Sequence, residues 1–311
     1  MAVLDIEFEE VASGLRFPEG PVAMSDGSVL LTEIERGVVS RVDPDGSVEL
    51  VADLGGGPNG LAIGPDGAAY VANNGCRFEF HDIGGSLIPG DVPEGYWGHG
   101  SIQRLDLSDG SVETLYVECD GNPLYAPNDL VFDSSGGMWF TDHGRRLERT
   151  ADRSGVYYAQ PDGSAIAEVV FPLDSPNGVG MSPTYDELYV AETHSGRVWS
   201  WPVPEPGTVT EFMPLNAGGV LIHSASGTDL FDSLAVDSGG NVCVATLGTG
   251  GITVAAPDGS GADFVPIDDP ITTNICFGGP DLTTAFVTAS FSGRLLRGIW
   301  PRPGLELAYN A

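Results

Sequence analysis

Six oxygen-bearing side chains recur at the same point of a repeated pattern and could together grip one ion: Glu19, Asn59, Asn128, Asn177, Asp232 and Asn274. Each follows a short turn and precedes an apolar run, as in Phe17-Pro18-Glu19-Gly20, Gly57-Pro58-Asn59-Gly60 and Ser175-Pro176-Asn177-Gly178. Two carboxylates with several neutral amides form a hard, all-oxygen donor set that suits calcium, which accepts many oxygens in flexible geometry. Zinc favours His or Cys, and neither occupies any of these positions. Zinc, manganese and magnesium stay as the other divalent candidates. A simpler alternative is that Pro-Asn-Gly only turns the backbone into a strand, and one residue can serve both roles. A cation held there would polarise a carbonyl oxygen and steady the negative charge that builds on it when water attacks. Calcium activates water weakly, so a nearby carboxylate is needed as base.

The elements that must position these residues are short strands. The intervals between the six are 40, 69, 49, 55 and 42 residues, and a four-stranded propeller blade takes about 40–50. Each repeat runs from a turn through an apolar strand and a Gly/Asp turn into a second strand. Examples are Ser25-Asp26-Gly27 before Val29-Leu30-Leu31-Thr32-Glu33, and Ser134-Ser135-Gly136-Gly137 before Trp139-Phe140-Thr141-Asp142. Asp-Gly and Gly-Gly supply the positive-φ residues of tight hairpins. The spacing predicts an all-β fold, a single six-bladed β-propeller over 1–311 with four-stranded antiparallel blades. Val3 to Val11 reads as a strand before the first repeat, and Arg294-Leu295-Leu296-Arg297-Gly298-Ile299-Trp300 follows the sixth. Pairing these N- and C-terminal strands closes the ring and removes exposed edges, which an open solenoid of the same repeats would leave bare.

Composition narrows the partners. The chain has 311 residues, 44 acidic against 13 basic, no Lys, and a net charge of −31. Such a surface repels nucleic acid and anionic lipid and draws cations. No apolar run approaches a membrane span. The first residues lack the basic and apolar regions of a secretory signal, so a cytoplasmic protein is expected, as a monomer or weak homodimer acting on a small molecule. Cys76, Cys119, Cys243 and Cys276 follow no metal-ligand spacing; Cys243 and Cys276 read as buried thiols in apolar strands.

The longest interval carries a surplus of roughly 20 residues, within 74–100. It includes Phe78, Phe80, Tyr96, Trp97, His81 and His99. Long loops in compact domains are functional or disordered, and the aromatic content predicts an insertion folded over the channel mouth, lining an apolar pocket. Tyr125 and Trp97 are candidate substrate contacts. His143, after Thr141-Asp142, stands at a blade edge or at the site; His194 and His223 read as loop residues.

At these residues the sequence resembles the gluconolactonase, senescence-marker-protein (regucalcin) and luciferin-regenerating enzyme family over essentially its full length. The resemblance rests on Phe17-Pro18-Glu19-Gly20-Pro21, Pro58-Asn59-Gly60-Leu61, Leu124-Tyr125-Ala126-Pro127-Asn128-Asp129-Leu130, Trp139-Phe140-Thr141-Asp142, Ser175-Pro176-Asn177-Gly178, Phe231-Asp232-Ser233-Leu234-Ala235-Val236-Asp237 and Asn274-Ile275-Cys276-Phe277-Gly278-Gly279. It implies a six-bladed propeller with a catalytic dication on its axis. By motif, Glu19, Asn177 and Asp232 fall on metal ligands, and Asn128 on a position that binds metal or touches substrate. Asn59 and Asn274 fall beside the ligands or against substrate. Asp232 takes a dual role as ligand and base, with direct nucleophilic attack by it left open. Two departures stand out. Asp232-Ser233 replaces the family's Asp-Gly, and Ala126 stands where sugar-lactonase members often carry Arg, which removes a donor for sugar hydroxyls. The expected function is a divalent-metal-dependent hydrolase of a lactone or related cyclic ester. An organophosphate hydrolase on the same metal site, or a non-catalytic ligand-binding propeller, are the alternatives.

Overall fold

The computed structural model describes residues 2–309 apart from 77, 93–99 and 213–215. Six four-stranded antiparallel sheets form the six blades of a β-propeller. Their innermost strands are Pro18–Ala23, Pro58–Ile63, Pro127–Phe132, Pro176–Met181, Leu230–Val236 and Thr272–Gly278. Each innermost strand contacts the next around the ring, and the sixth contacts the first. All six therefore surround one axis.

Strand alternation builds the ring. In Met138–Asp142, the second strand of blade 3, Met138 and Phe140 pack toward blade 2 with Tyr70, Ile102 and Leu130. Trp139, between them in sequence, packs toward blade 4 with Val190, Trp199 and Trp201. A strand whose two faces are both covered reads as a nearly continuous apolar run, which is how these segments read. Burial of each such side chain contributes about 1.5–3 kcal/mol.

Phe8–Ser13 is the outermost strand of the sixth sheet and pairs with Arg294–Ile299, from Phe8 opposite Gly298 to Ser13 opposite Arg294. A Glu9–Arg297 ion pair at 2.5 Å lies along this seam. The closing strand thus starts and ends later than the expected Val3 to Val11. The reason is a competing edge: Leu4 N donates to Phe264 O and Phe264 N to Ala2 O, so the first residues cap the outer strand of blade 5 instead.

The insertion after the second strand of blade 2 contains a hairpin, Phe80–Ile83 with Ser86–Pro89. Leu87 is buried among Phe17, Ile34 and Ile271, and its N–H donates to Phe291 O at 3.0 Å. Arg16 reaches Asp82 at 3.0 Å. A segment rooted in blade 2 is therefore docked on blades 1 and 6. Tyr96, Trp97 and His99 lie outside the described residues.

At the opposite end, the C-terminal segment runs beneath the channel. Arg302 Nε donates to Asp237 at 2.6 Å, Gly304 N to Leu282 O at 2.7 Å and Leu305 N to Val236 O at 2.9 Å. Above it lies a cavity of about 120 Å³ walled by Phe132, Met181, Val236 and Phe277 and bordered by Leu305 and Tyr309. Cys243 is buried as expected, whereas Cys276 is only half-buried, on the cavity wall. Among the described residues no helix is long and apolar enough to cross a membrane.

Candidate catalytic centre on the propeller axis

The axial residues sit at the starts of the innermost strands, where the backbones approach most closely. A Cβ on Gly60 would stand 2.6 Å from Asn128 O, and one on Gly20 would strike Asn59 O. Glycine after the axial residue is thus a requirement of the ring's radius in blades 1 and 2. Hydroxyl clasps join neighbouring blades at the same level: Thr32 Oγ1 donates to Asn59 O at 2.6 Å, Thr141 Oγ1 to Asn177 O at 2.5 Å and Ser290 Oγ to Pro18 O at 2.6 Å.

A second set of polar residues, at the ends of the second strands of blades 1 to 4, fixes the chain leading into the axial residue of each of those blades. Glu33 accepts from Arg16 N at 2.8 Å, Asn73 from Gly57 N at 2.9 Å and Glu192 from Asp174 N at 2.6 Å. Asp142 accepts from both Tyr125 N at 2.7 Å and Ala126 N at 2.8 Å. Sequence reasoning missed this role. Its signal was present in Glu33, Asn73, Asp142 and Glu192, the polar residues that close the second strand in the first four repeats.

The structure brings the six predicted residues together. Glu19, Asn59, Asn128, Asn177 and Asn274 are buried, and Asp232 is partly open. Asn274 Nδ2 donates to Glu19 at 2.8 Å, as does Gly20 N at 2.7 Å, while Asn274 Oδ1 accepts from Ile275 N at 2.8 Å. Asn274 is therefore committed through its amide nitrogen to orienting Glu19, and its oxygen already accepts one hydrogen bond. Asn177 is held by Thr193, which accepts at 3.0 Å, and by Ser233, whose hydroxyl donates to Asn177 Oδ1 at 3.2 Å. Ser233, the departure from Asp-Gly, is thus an orienting group.

Two acceptors are left over. Asn59 Oδ1 and Asn128 Oδ1 are buried without a hydrogen-bond partner, a condition that costs about 1–3 kcal/mol per group when nothing else satisfies it. Beside them stand three carboxylates. Burial, then the charge of Asp232, pushes Glu19 well above the usual carboxylate range against its hydrogen bonds from Asn274 and Gly20. Burial pushes Asp232 up to about 7, opposed by the Asn177 amide and assisted by Asp129. Glu19 and Asp232 thus feel one another, as a shared centre requires.

Asp129 is the third carboxylate, and the sequence reading passed over it. It stands where blades 1, 2 and 4 carry Gly20, Gly60 and Gly178. A Cβ on Gly60 would come within 2.9 Å of its Oδ1. Burial pushes it up to about 7, only partly offset by N–H groups of Leu130 and Val179. An Asp replacing the repeated Gly was the available signal. Buried carboxylates and bare amide oxygens, with no His or Cys among the six axial residues, fit a hard dication in donor chemistry. Among the described residues no three His, Cys, Asp or Glu side chains converge to hold a metal, so a cation here would have to draw on the amides.

On the rim, His143 is buried, with its backbone N–H donating to Ala126 O at 2.8 Å and its ring edge-on to His194 at 5.7 Å. His194 adjoins Thr193, so both imidazoles stand over the Asn128–Asn177 side of the ring. The Tyr125 ring lies under the Arg145 guanidinium at 4.1 Å. Trp97 lies outside the described residues.

The sequence profile of the SMP-30/gluconolactonase/LRE-like region matches residues 17–291, which spans every axial position. The chain belongs to this family. Within the SMP-30/gluconolactonase/LRE-like family, a gluconolactonase of Zymomonas mobilis is 26% identical over 93% of this chain and 81% of its own length. The lactonase drp35 of Staphylococcus saprophyticus is 31% identical over 78% of this chain and 67% of its own. Among solved structures, regucalcin of Agrobacterium tumefaciens, described as a calcium-binding protein, has the same fold, with a TM-score of 0.73 over 99% of this chain and 100% of that one at 17% identity.

Proposed function

We propose that this chain is a divalent-cation-dependent hydrolase of a lactone or related cyclic ester, with calcium as the cation. The observation that carries the reading is the pair of bare, buried amide oxygens of Asn59 and Asn128 beside Glu19 and Asp232. Family membership supports the reaction class, since relatives across much of its length are named gluconolactonase and lactonase.

Glu19, Asn128, Asn177 and Asp232 would hold the cation, with Asn59 contributing its oxygen to the cation or to substrate. When bound, the cation supplies positive charge against the lactone carbonyl as that oxygen becomes negative. Asn274 and Ser233 keep Glu19 and Asn177 aimed at the axis. Asp232, the partly open member, accepts the proton of the attacking water. The acyl–oxygen bond then breaks, the released alkoxide takes that proton, and a hydroxy acid leaves. The hairpin of Phe80–Ile83 and Ser86–Pro89, docked on blades 1 and 6, narrows the mouth and shields the substrate, with Tyr125 and His143 beside it.

The test is calorimetric titration of chelator-treated protein with calcium, zinc, manganese and magnesium, beside a lactone panel read by a pH indicator. Calcium binding that disappears in Glu19→Gln, with calcium-dependent acid release, supports the reading. Turnover of no lactone with any of the metals would refute it.

A further inference from the structure

The mouth has one basic segment in an otherwise acidic molecule. Arg145, Arg146, Arg149 and Arg153 fall within the loop joining the second and third strands of blade 3, so 4 of the chain's 13 basic residues occupy nine positions, against Glu148 and Asp152 only. The loop leaves Asp142, which pairs opposite Pro127, the neighbour of Asn128. It therefore rises on the face where the axial oxygens open.

Most of the arginines elsewhere are ion-paired, as Arg145 and Arg146 of the loop also are. Arg16, Arg36, Arg41, Arg104, Arg294, Arg297 and Arg302 each lie within 4.0 Å of a carboxylate. Arg197 instead faces the Trp199 ring at 5.7 Å. In the loop, Arg149 and Arg153 are exposed and have no acidic partner among the described residues. Arg146 meets Asp174 at 3.2 Å with both side chains about half exposed, a pair of the kind that screening weakens.

Arg145 is built differently. Its side chain is 11% exposed, and Asp152 accepts from Nε at 2.6 Å and from Nη2 at 3.3 Å. The face of the guanidinium rests on Tyr125 at 4.1 Å. Tyr125 is itself anchored by Asp142 and stands three residues from Asn128. A guanidinium fixed along one edge and stacked on one face keeps a single orientation, the condition for reading a planar or tetrahedral oxyanion.

We propose that this loop recognises an anionic oxygen group, a carboxylate or phosphate, carried by the substrate away from the ester that reacts. Arg145, presented on Tyr125, makes the contact, and Arg149 and Arg153 offset locally the field of a chain with a net charge of −31. The inference rests on the lactone reading and narrows it: the substrate is an acidic lactone rather than a neutral one.

The test compares δ-valerolactone with the same ring bearing a carboxymethyl or a phosphonooxymethyl arm. The wild-type protein should prefer one charged ring by about tenfold in kcat/KM at low salt, with the preference shrinking as ionic strength rises toward about 0.3 M. Which arm is favoured identifies carboxylate or phosphate. Arg145→Gln should lower the charged-to-neutral ratio by about tenfold, with Arg145→Lys between. Arg149→Gln with Arg153→Gln should flatten the salt dependence and lower the ratio by about threefold. Circular dichroism melting establishes that each variant is folded. A ratio unchanged in folded Arg145→Gln overturns the proposal while leaving the lactone reading intact. If no lactone is turned over, that reading fails separately, and calorimetry with the ring-opened acids decides here: binding as tight to Arg145→Gln as to wild type overturns the anion site.

Discussion

The two ends of the propeller's channel are lined by the same six strands yet have opposite chemistry. At the upper end, where the strands begin, Glu19, Asn59, Asn128 and Asp232 crowd oxygens together, two of them bare. At the lower end Phe132, Met181, Val236 and Phe277 line an apolar cavity that Leu305 and Tyr309 of the C-terminal segment also border. The difference shows how the fold prepares a cation site. Close backbones at Gly20 and Gly60 bring polar side chains within reach of one another, and the largely apolar cavity below reaches up to Asp129. The carboxylates above that floor are raised in pKa by burial first, and Glu19 and Asp232 further by a neighbouring carboxylate.

That contrast can be broken at either end. The largest effect is expected at the top: Asp232→Asn should lower turnover by about 10³-fold or more, measured at saturating calcium, with a folded protein by circular dichroism. Next is the floor, where Phe132→Ala should cost about 3 kcal/mol in denaturant unfolding while calcium affinity, read by calorimetry, changes little. Equal loss of affinity there would show that the two ends are not separable.

A pH series sharpens the comparison further. Asp129 and Asp232 have folded pKa values raised to about 7, so the folded metal-free protein binds more protons than the unfolded chain between the ordinary Asp value and 7. Its stability should therefore fall as pH rises through that window. Calcium should raise the melting temperature more at pH 8 than at pH 5, and an equal rise at both would contradict a cation lodged among these carboxylates. The smallest effect is expected from Ser233→Ala, which removes one hydrogen bond to Asn177 and should weaken calcium binding by about three- to tenfold.

Much of this was legible residue by residue. The axial series could be read because each member follows a turn and opens a strand, signals that lie within a few residues of one another. The blades could be read because alternation buries both strand faces, as Met138, Trp139 and Phe140 show. The closing strand was harder: Val3 to Val11 has the right pattern, but whether Val3 joins the sixth sheet or caps Phe264 depends on an edge more than 250 residues away in sequence.

Other features had no local signature. The commitment of Asn274 to Glu19 joins residues 255 apart, and it separates Asn274 from Asn59 and Asn128 although all are asparagines at equivalent positions. The docking of Leu87 on Phe17 likewise depends on blades being brought face to face, and the stacking of Arg145 on Tyr125 on two loops of blade 3 meeting.

The sequence by itself determined the strands, the turns, the number of blades and which oxygen-bearing residues stand at the head of each inner strand, because those follow from side-chain periodicity and backbone sterics over short spans. Only the tertiary structure decided which oxygens already accept hydrogen bonds, which are left bare, that Asp129 joins them and that the C-terminal segment borders the far end. Those outcomes depend on distances between blades, and such distances exist only once the ring has closed.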